Sequence, residues 1–298
     1  MESPHISICI CTFKRPQLLG SLLEKLKNQR SEGIFRFSIV VADNDREESA
    51  RKVVEDFCAS SKVQATYCAE PRQNIALARN KSIECAAGDF IAFIDDDEFP
   101  DDTWLFNLLN AYRNYDADGV LGPVKPHFES APPRWLTKGR FFDRPTHPSG
   151  HKMNWTEART GNVLFRKDIV KTVEVPFRSQ FDTAGEDVDF FRRMMDQGFK
   201  FVWCDEAPVY ELVPASRCTR SYLLRRALLR GSNFHKHPAD KFKNTLKSLL
   251  AVPCYLILLP FLLLLGQHLF LKYLIKLLDH SSRLLAFLGL SLVTQRQT

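Results

Sequence analysis

Three consecutive carboxylates, Asp95, Asp96 and Asp97, follow directly on the apolar run Phe90-Ile91-Ala92-Phe93-Ile94, and Glu98 comes next. Adjacent carboxylates repel unless a cation or a set of donors neutralises them, and a hard divalent ion with oxygen ligands does so well. The pattern points to a site for a divalent metal and a diphosphate. The plainer alternative is a solvated acidic turn, since Pro100, Asp101 and Asp102 follow at once; an apolar strand leading straight into the acids favours the first reading. A second pair of acids, Glu186 and Asp187, stands after Gly185 where a helical pattern running to Gln197 begins. A carboxylate there suits general-base chemistry and is kept ionised by the helix dipole, although acids also favour first helical turns simply as caps.

These acids need a scaffold, and the first half of the chain supplies an alternation of short β-rich runs with helical segments, the pattern of an α/β domain with a mostly parallel sheet. Strands are expected over residues 6–13, 37–42, 63–68, 90–94 and 119–124, with helices over 16–28, 47–58, 75–86 and 102–115. Pro16 suits a first helical position, Asn74 can cap the third helix, and Gly88 is expected to end it. In such sheets ligands bind beyond the C-terminal strand ends. Each strand here ends in polar groups: Thr12, Asp43-Asn44-Asp45, Arg72 to Asn74, and Asp95 to Asp97. Four loops are thus expected to converge on one crevice. Residues 126–158, rich in Pro, Trp, Phe, His and Arg, read as a long ordered loop over it. The cluster Thr160-Gly161-Asn162-Val163-Leu164-Phe165-Arg166 follows, and a basic helix is expected over 220–236.

The opening Met1-Glu2-Ser3-Pro4-His5 lacks a basic segment followed by a long apolar stretch, so no secretory signal and a cytosolic start are expected. The eight cysteines form no C-x-x-C pair and read as reduced core residues rather than zinc ligands or disulfides. The formal net charge of +6 hides a division: residues 212–298 hold 13 Lys or Arg against Asp240 and Asp279, so the rest is net acidic. That tail alternates with long aliphatic runs and has few aromatics for base stacking, so no nucleic-acid partner is expected and an anionic membrane surface fits better. Residues 248–271 carry no Lys, Arg, Asp or Glu and are long enough to cross a bilayer. Pro253, Pro260 and Gly266 interrupt them and lysines flank both ends, which leaves a span, a re-entrant or interfacial hairpin, and a buried helix pair all open.

With these residues in place, the chain resembles the inverting glycosyltransferases of family 2, of the GT-A fold, over about residues 6–236. The likeness rests on Ile8-Cys9-Ile10-Cys11-Thr12-Phe13-Lys14-Arg15-Pro16, on Pro71-Arg72-Gln73-Asn74-Ile75-Ala76-Leu77-Ala78-Arg79-Asn80, and on Phe93 to Glu98. Within the family it is similar to the glucosyltransferases of succinoglycan biosynthesis. The resemblance implies an α/β GT-A fold with a mostly parallel central sheet and flanking helices, and the basic, apolar C-terminal stretch adds a helical membrane-associated tail. The chain is then expected to divide into a nucleotide-sugar half over 1–125, an acceptor and catalytic-base half over 126–240, and the tail over 241–298. The resemblance assigns Thr12, Arg15, Asp43, Asn44, Arg79, Asn80, Asp95 and Asp96 to the nucleotide, and Asp97 to an Mg2+ or Mn2+ ion. Asp187, with Glu186 as substitute, becomes the general base, and Gly161 and Asn162 border the donor sugar and acceptor, although a strand-entry turn also explains them. Arg225 and Arg226 offer cations to a diphosphate, and an amphipathic surface helix explains them equally well.

Two departures from the family pattern stand out. The Gln-x-x-Arg-Trp motif of processive synthases does not occur, which implies one sugar added per encounter. Many relatives place a histidine on the metal after the last core strand, whereas this chain reads Val209-Tyr210-Glu211-Leu212-Val213-Pro214. The expected activity is transfer of a sugar, glucose, from a UDP-sugar to a polyprenyl-diphosphate-linked oligosaccharide at the cytoplasmic face of the plasma membrane. A Mg-dependent nucleotidyl- or phosphotransferase would also use an Asp triplet, but it needs a Gly-rich phosphate loop or a nucleophilic Asp after the first strand, and Thr12-Phe13-Lys14-Arg15 supplies neither. A non-catalytic membrane scaffold with a degenerate site has no reason to keep Asp97 and Asp187 together.

Overall fold

The computed structural model describes residues 3–181, 185–233 and 241–290. In chain order the regular elements are β1 (His5–Thr12), α1 (Pro16–Leu26), β2 (Arg36–Asp43), α2 (Arg51–Ser60), β3 (Ala65–Ala69), α3 (Ile75–Cys85), β4 (Phe90–Ile94), β5 (Glu98–Pro100) and α4 (Trp104–Asn114). Then come β6 (Gly119–Leu121), β7 (Val124–Phe128), α5 (Arg134–Gly139), β8 (Asn162–Arg166), α6 (Glu186–Asp196), β9 (Phe201–Trp203), β10 (Val209–Val213), α7 (Arg220–Asn233), α8 (Lys241–Leu265) and α9 (Gln267–Phe287).

A seven-stranded sheet runs in the order β3-β2-β1-β4-β8-β6-β9, and a three-stranded sheet in the order β5-β10-β7. The pairs β3/β2, β2/β1, β1/β4 and β6/β9 are parallel, while β8 is antiparallel to both β4 and β6. Strand alternation explains the layering. In β1, Ile8 and Ile10 face a core with Leu19, Leu22, Val54, Trp104 and Leu108 from α1, α2 and α4, whereas Cys9 faces the opposite side with Ile83, Phe93, Phe177 and Phe190. All five residues of β4 are buried, as a strand covered by helices on both faces requires.

Compact packing divides the chain into two units, residues 1–126 with 144–212, and residues 127–143 with 213–298. The first unit contains elements from both halves expected on either side of residue 125, because β8 inserts between β4 and β6. In the second unit Leu136, Phe142, Val213, Leu223 and Leu271 form a core. There α8 contains Pro253 and Pro260 without ending, and Gly266, at φ +142°, breaks it from α9. Ser248 Oγ meets His280 Nδ1 at 2.9 Å between these two helices. The segment Thr245–Leu265 is long and apolar enough to cross a membrane.

Several expectations are corrected. The strand expected over 119–124 breaks into β6 and β7 at Gly122-Pro123, where a Cβ on Gly122 would lie 2.4 Å from the Ala207 carbonyl oxygen and Pro123 offers no N–H. Helix α2 starts at Arg51 rather than 47, because Asp43 and Asp45 take the preceding N–H groups into a turn. Gly88 does not cap α3, which closes at Ala86; its missing Cβ admits the His5 oxygen and Ser7 nitrogen, each 2.7 Å from where that carbon would stand. Cys68 and Cys85, expected as reduced, are joined in a disulfide: β3 and α3 pack together, a tertiary proximity that spacing along the chain does not reveal. The loop expected over 126–158 contains the end of β7 and the short α5, and its two parts belong to different units. Residues 234–236 of the expected basic helix lie outside the described residues; α7 covers the part that is described.

Candidate active site

Parallel pairing of β1 with β4, with Cys9 opposite Phe93, carries both strands to the same edge and sets Thr12 beside the acids. Thr12 Oγ1 donates to Asp96 Oδ2 at 2.7 Å, and Arg15 Nη1 lies 3.1 Å from Asp96 Oδ1 and 3.5 Å from Asp97 Oδ2. Burial pushes the Asp96 carboxyl up to about 6, with Arg15 and Thr12 opposing and Asp97 and Asp95 reinforcing the rise. Burial also raises Asp95, where Arg79 opposes and Asp97 reinforces. Glu98 is raised further by burial and then by Asp95, and its Oε1 is buried without a hydrogen-bond partner among the described residues.

Gly161 closes this acidic group. A Cβ there would stand 3.0 Å from Glu98 Oε1 and 3.2 Å from Asp95 Oδ2, so the absence of a side chain is what lets the two carboxylates approach the β8 entry. Two residues that sequence reasoning did not assign join the group. Antiparallel pairing of β5 with β10 sets Glu211 opposite Glu98, and Arg144 Nη2 donates to Glu211 Oε2 at 2.5 Å. The charge of Arg144 also favours the ionised forms of Glu98 and Asp95. The signal for Glu211 was its position after the last core strand; nothing local marked Arg144.

The second group of acids opens α6. Gly185, at φ +102°, makes the entry turn. Glu186 forms a buried ion pair with Arg79 of α3, whose guanidinium also lies over the Phe177 ring with 5.6 Å to its centroid. Burial raises the Glu186 carboxyl, opposed by Arg79. Asp187 differs: its Oδ1 accepts the Val188 N–H at 2.7 Å, Arg159 Nε stands 3.8 Å from its Oδ2, and 15% of its side chain is exposed against 6% for Glu186. Arg79 feels the charge of both Asp95 and Asp187, which ties the two acidic groups electrostatically.

Four other candidate residues spend their polar atoms inside the protein. Asp43 is fully buried and accepts from Asp45 N, Ala50 N and Tyr67 Oη at 3.1, 2.8 and 3.0 Å. Asn44 donates to the Glu70 and Arg72 carbonyls and accepts the Asn74 N–H, joining the loops after β2 and β3. Asn80 exchanges two hydrogen bonds with the Phe177 backbone. Asn162 accepts from Trp104 Nε1 at 2.8 Å and donates to the Pro123 and Ala207 carbonyls. Arg225 and Arg226 lie in the second unit on α7, with Arg226 over the Phe142 ring.

Asp95 and Asp97, partly exposed, and the buried Glu98 are oxygen donors of the kind a hard divalent ion takes, and Glu98 Oε1 has no hydrogen-bond partner among the described residues. Together with Arg15, the site can hold an anionic phosphate beside a cation, and Asp187 supplies a reachable carboxylate.

Residues 7–173, more than half of the chain, match the family model described as Glycosyl transferase family 2. The chain is 36% identical over 241 residues to the succinoglycan biosynthesis protein ExoM of Rhizobium meliloti (strain 1021), covering 80% of this chain and 77% of that protein. It is 25% identical over 210 residues to the glucosyl-dolichyl phosphate glucuronosyltransferase of Haloferax volcanii, covering 68% and 61%. Among solved structures, S. aureus TarS 1-349 in complex with UDP aligns with a TM-score of 0.55 at 16% identity over 95% of this chain and 90% of that one. The mannosyltransferase PcManGT from Pyrobaculum calidifontis, in complex with GDP-Man and Mn2+, aligns with a TM-score of 0.57 at 17% identity over 79% and 64%. These two likenesses concern the fold, which is of the GT-A type.

Proposed function

The chain belongs to glycosyl transferase family 2, and from that premise we propose that this glycosyltransferase moves one sugar, glucose, from a UDP-sugar onto a polyprenyl-diphosphate-linked oligosaccharide in exopolysaccharide assembly. The likeness to a succinoglycan biosynthesis protein supports the pathway class, and the UDP bound to TarS supports the donor class. The reaction inverts the sugar. Asp187 takes the proton of the acceptor hydroxyl as its oxygen bonds to C1, while the bond from C1 to the diphosphate breaks on the opposite face and UDP leaves. Asp97, with Asp95 and Glu98 in the same group and Glu211 opposite Glu98, would hold Mg2+ or Mn2+, which when bound offsets charge on the departing diphosphate. Arg15, hydrogen-bonded to Asp96 and Asp97, adds a fixed cation at the same strand end. Arg79 holds Glu186, which leaves the more exposed Asp187, with Arg159 at 3.8 Å, as the carboxylate that meets an acceptor.

One observation carries the reading: the buried Glu98 oxygen, without a hydrogen-bond partner among the described residues, in the acidic group that follows β4. The chain works at the cytoplasmic membrane face; the apolar segment Thr245–Leu265 supports the membrane association in that placement. The test is UDP release from a panel of UDP-sugars with Mg2+ or Mn2+ and membrane extract. Wild type should turn over with one donor, and Asp97→Asn, Asp187→Asn and EDTA should each abolish turnover. Unchanged activity in Asp187→Asn removes the base assignment, and silence with every UDP-sugar removes the donor assignment.

A further inference from the structure

We propose that His147, His151 and Glu157 form a second metal site, selective for a zinc-like ion, which clips the segment between Arg144 and Arg159. Nitrogen or oxygen ligand atoms from the three side chains all lie within 4.8 Å of one another. His147 Nε2 and Glu157 Oε2 are 3.7 Å apart. That is too long for a hydrogen bond and close to the separation of about 3.4 Å that two bonds of about 2.0 to 2.2 Å make at a tetrahedral ion.

The backbone already presents these donors. Gly150, at φ +85°, sits in a turn in which the His151 N–H reaches the Pro148 oxygen at 3.1 Å. The segment is tied to the β9 edge by Gly150 N to Trp203 O at 2.8 Å, Trp203 N to His151 O at 2.9 Å and Met153 N to Phe201 O at 2.9 Å. The His147 ring packs edge-on against Trp203 at 5.4 Å, which fixes one ligand. The His151 ring lies parallel to it at 4.3 Å, and both His151 and Glu157 are exposed. A shared ion requires His151 to turn out of this stack, a rotation its exposure permits.

Packing alone explains one aromatic ring at position 147, against Trp203. It also accounts for the His151 ring stacked on His147, but not for a carboxylate placed 3.7 Å from His147 Nε2, and neither imidazole makes a hydrogen bond through its ring nitrogens among the described residues. Two imidazoles and a carboxylate suit zinc and its neighbours, whereas the all-oxygen group around Asp97 suits Mg2+ or Mn2+. Three protein ligands leave a fourth position for water. The consequence reaches the active site, because this segment is flanked by Arg144, which binds Glu211, and by Arg159, which stands beside Asp187. An ion bound here would hold both cations in position against the two acidic groups.

The test uses the full-length protein in detergent, stripped with EDTA and titrated calorimetrically with Zn2+. Wild type and Asp97→Asn should share one tight site that His151→Gln and Glu157→Gln each weaken at least about tenfold. Identical isotherms for wild type and His151→Gln overturn the proposal, as does loss of the tight site in Asp97→Asn alone. Because other histidines and cysteines can bind zinc, a second readout is local: stoichiometric Cu2+ should quench tryptophan fluorescence through Trp203. The quenching should be reduced in Trp203→Phe, where Trp155 of the same segment remains, and vanish in His151→Gln; equal quenching in wild type and His151→Gln overturns the site. Both ligand variants change exposed side chains, so their folding is not at stake.

Discussion

Arg79 of α3 and Glu186 at the first turn of α6 form an ion pair with less than a tenth of either side chain exposed. Two charges so far from water are tolerable only together, since removing one partner leaves the other desolvated and unpaired. Arg79→Ala is therefore expected to destabilise the protein by about 3 to 5 kcal/mol, and Glu186→Gln by less, because the raised Glu186 carboxyl accepts neutrality more readily. Asp187→Asn, one residue on, should leave the denaturation midpoint unchanged while abolishing turnover. Chemical denaturation of the three variants checks this. Equal stability of wild type and Arg79→Ala would mean that the pair contributes nothing to joining α3 and α6.

Asp96 gives the metal-free protein a defined pH dependence. Burial and the charges of Asp95 and Asp97 hold its carboxyl at about 6, against the partial compensation of Arg15 and Thr12. The folded state thus binds a proton more tightly than the unfolded state. This contribution to stability is complete below the unfolded carboxylate range near 3.9 and is lost as pH rises through about 6. In EDTA the unfolding midpoint is expected to decline across that window, and Asp96→Asn should flatten the decline. A variant that follows the wild-type curve in EDTA would remove Asp96 as its source.

Asn162 separates a scaffold role from a substrate role. Its amide joins the Trp104 indole of α4 to the Pro123 and Ala207 carbonyls, all buried, and only 2% of the residue is exposed. Asn162→Ala should cost about 1 to 3 kcal/mol, the penalty for stranding buried polar partners. If the residue is scaffold alone, KM for the acceptor is unchanged in the protein that remains folded. A large rise in KM with an unchanged melting temperature would reinstate the contact with the sugar or acceptor that its motif suggests.

Where the sequence carried a strong local signal, the structure follows it. Phe90–Ile94 is apolar at every position and becomes the buried central strand, Pro16 opens α1, and Asn74 caps α3 through the Ala76 and Leu77 N–H groups. Thr12, Arg15, Asp96 and Asp97 were legible as a set because parallel strands end at one edge. What was not legible depends on strands distant in sequence. Glu211 meets Glu98 only through the β5/β10 register, Arg144 arrives from a segment without periodicity, and Cys68 finds Cys85 only once α3 packs on β3. The internal partners of Asn44, Asn80 and Asn162 were not legible either, since residue type alone does not say which neighbouring backbone group an amide will meet.

The C-terminal helices make a prediction of a different kind. Thr245–Leu265 crosses enough residues to span a bilayer, and its apolar side chains are largely uncovered, with Leu250 65%, Ile257 68% and Leu264 85% exposed. So much aliphatic surface facing water is unfavourable at about 25 cal/mol per Å² and suits cover by lipid. Deleting residues 241–298 is expected to move the protein from the membrane pellet to the supernatant, whereas a high-salt wash should leave the full chain in the pellet because apolar burial is not screened. Ile257→Lys and Leu264→Lys each place a charge on the uncovered face, and each should weaken vesicle binding by at least about tenfold, given the several kcal/mol that a cation costs inside hydrocarbon. Neither side chain is buried, so both variants should keep the circular dichroism of the parent. A truncated protein that still pelleted with vesicles in high salt would show that the anchor lies elsewhere.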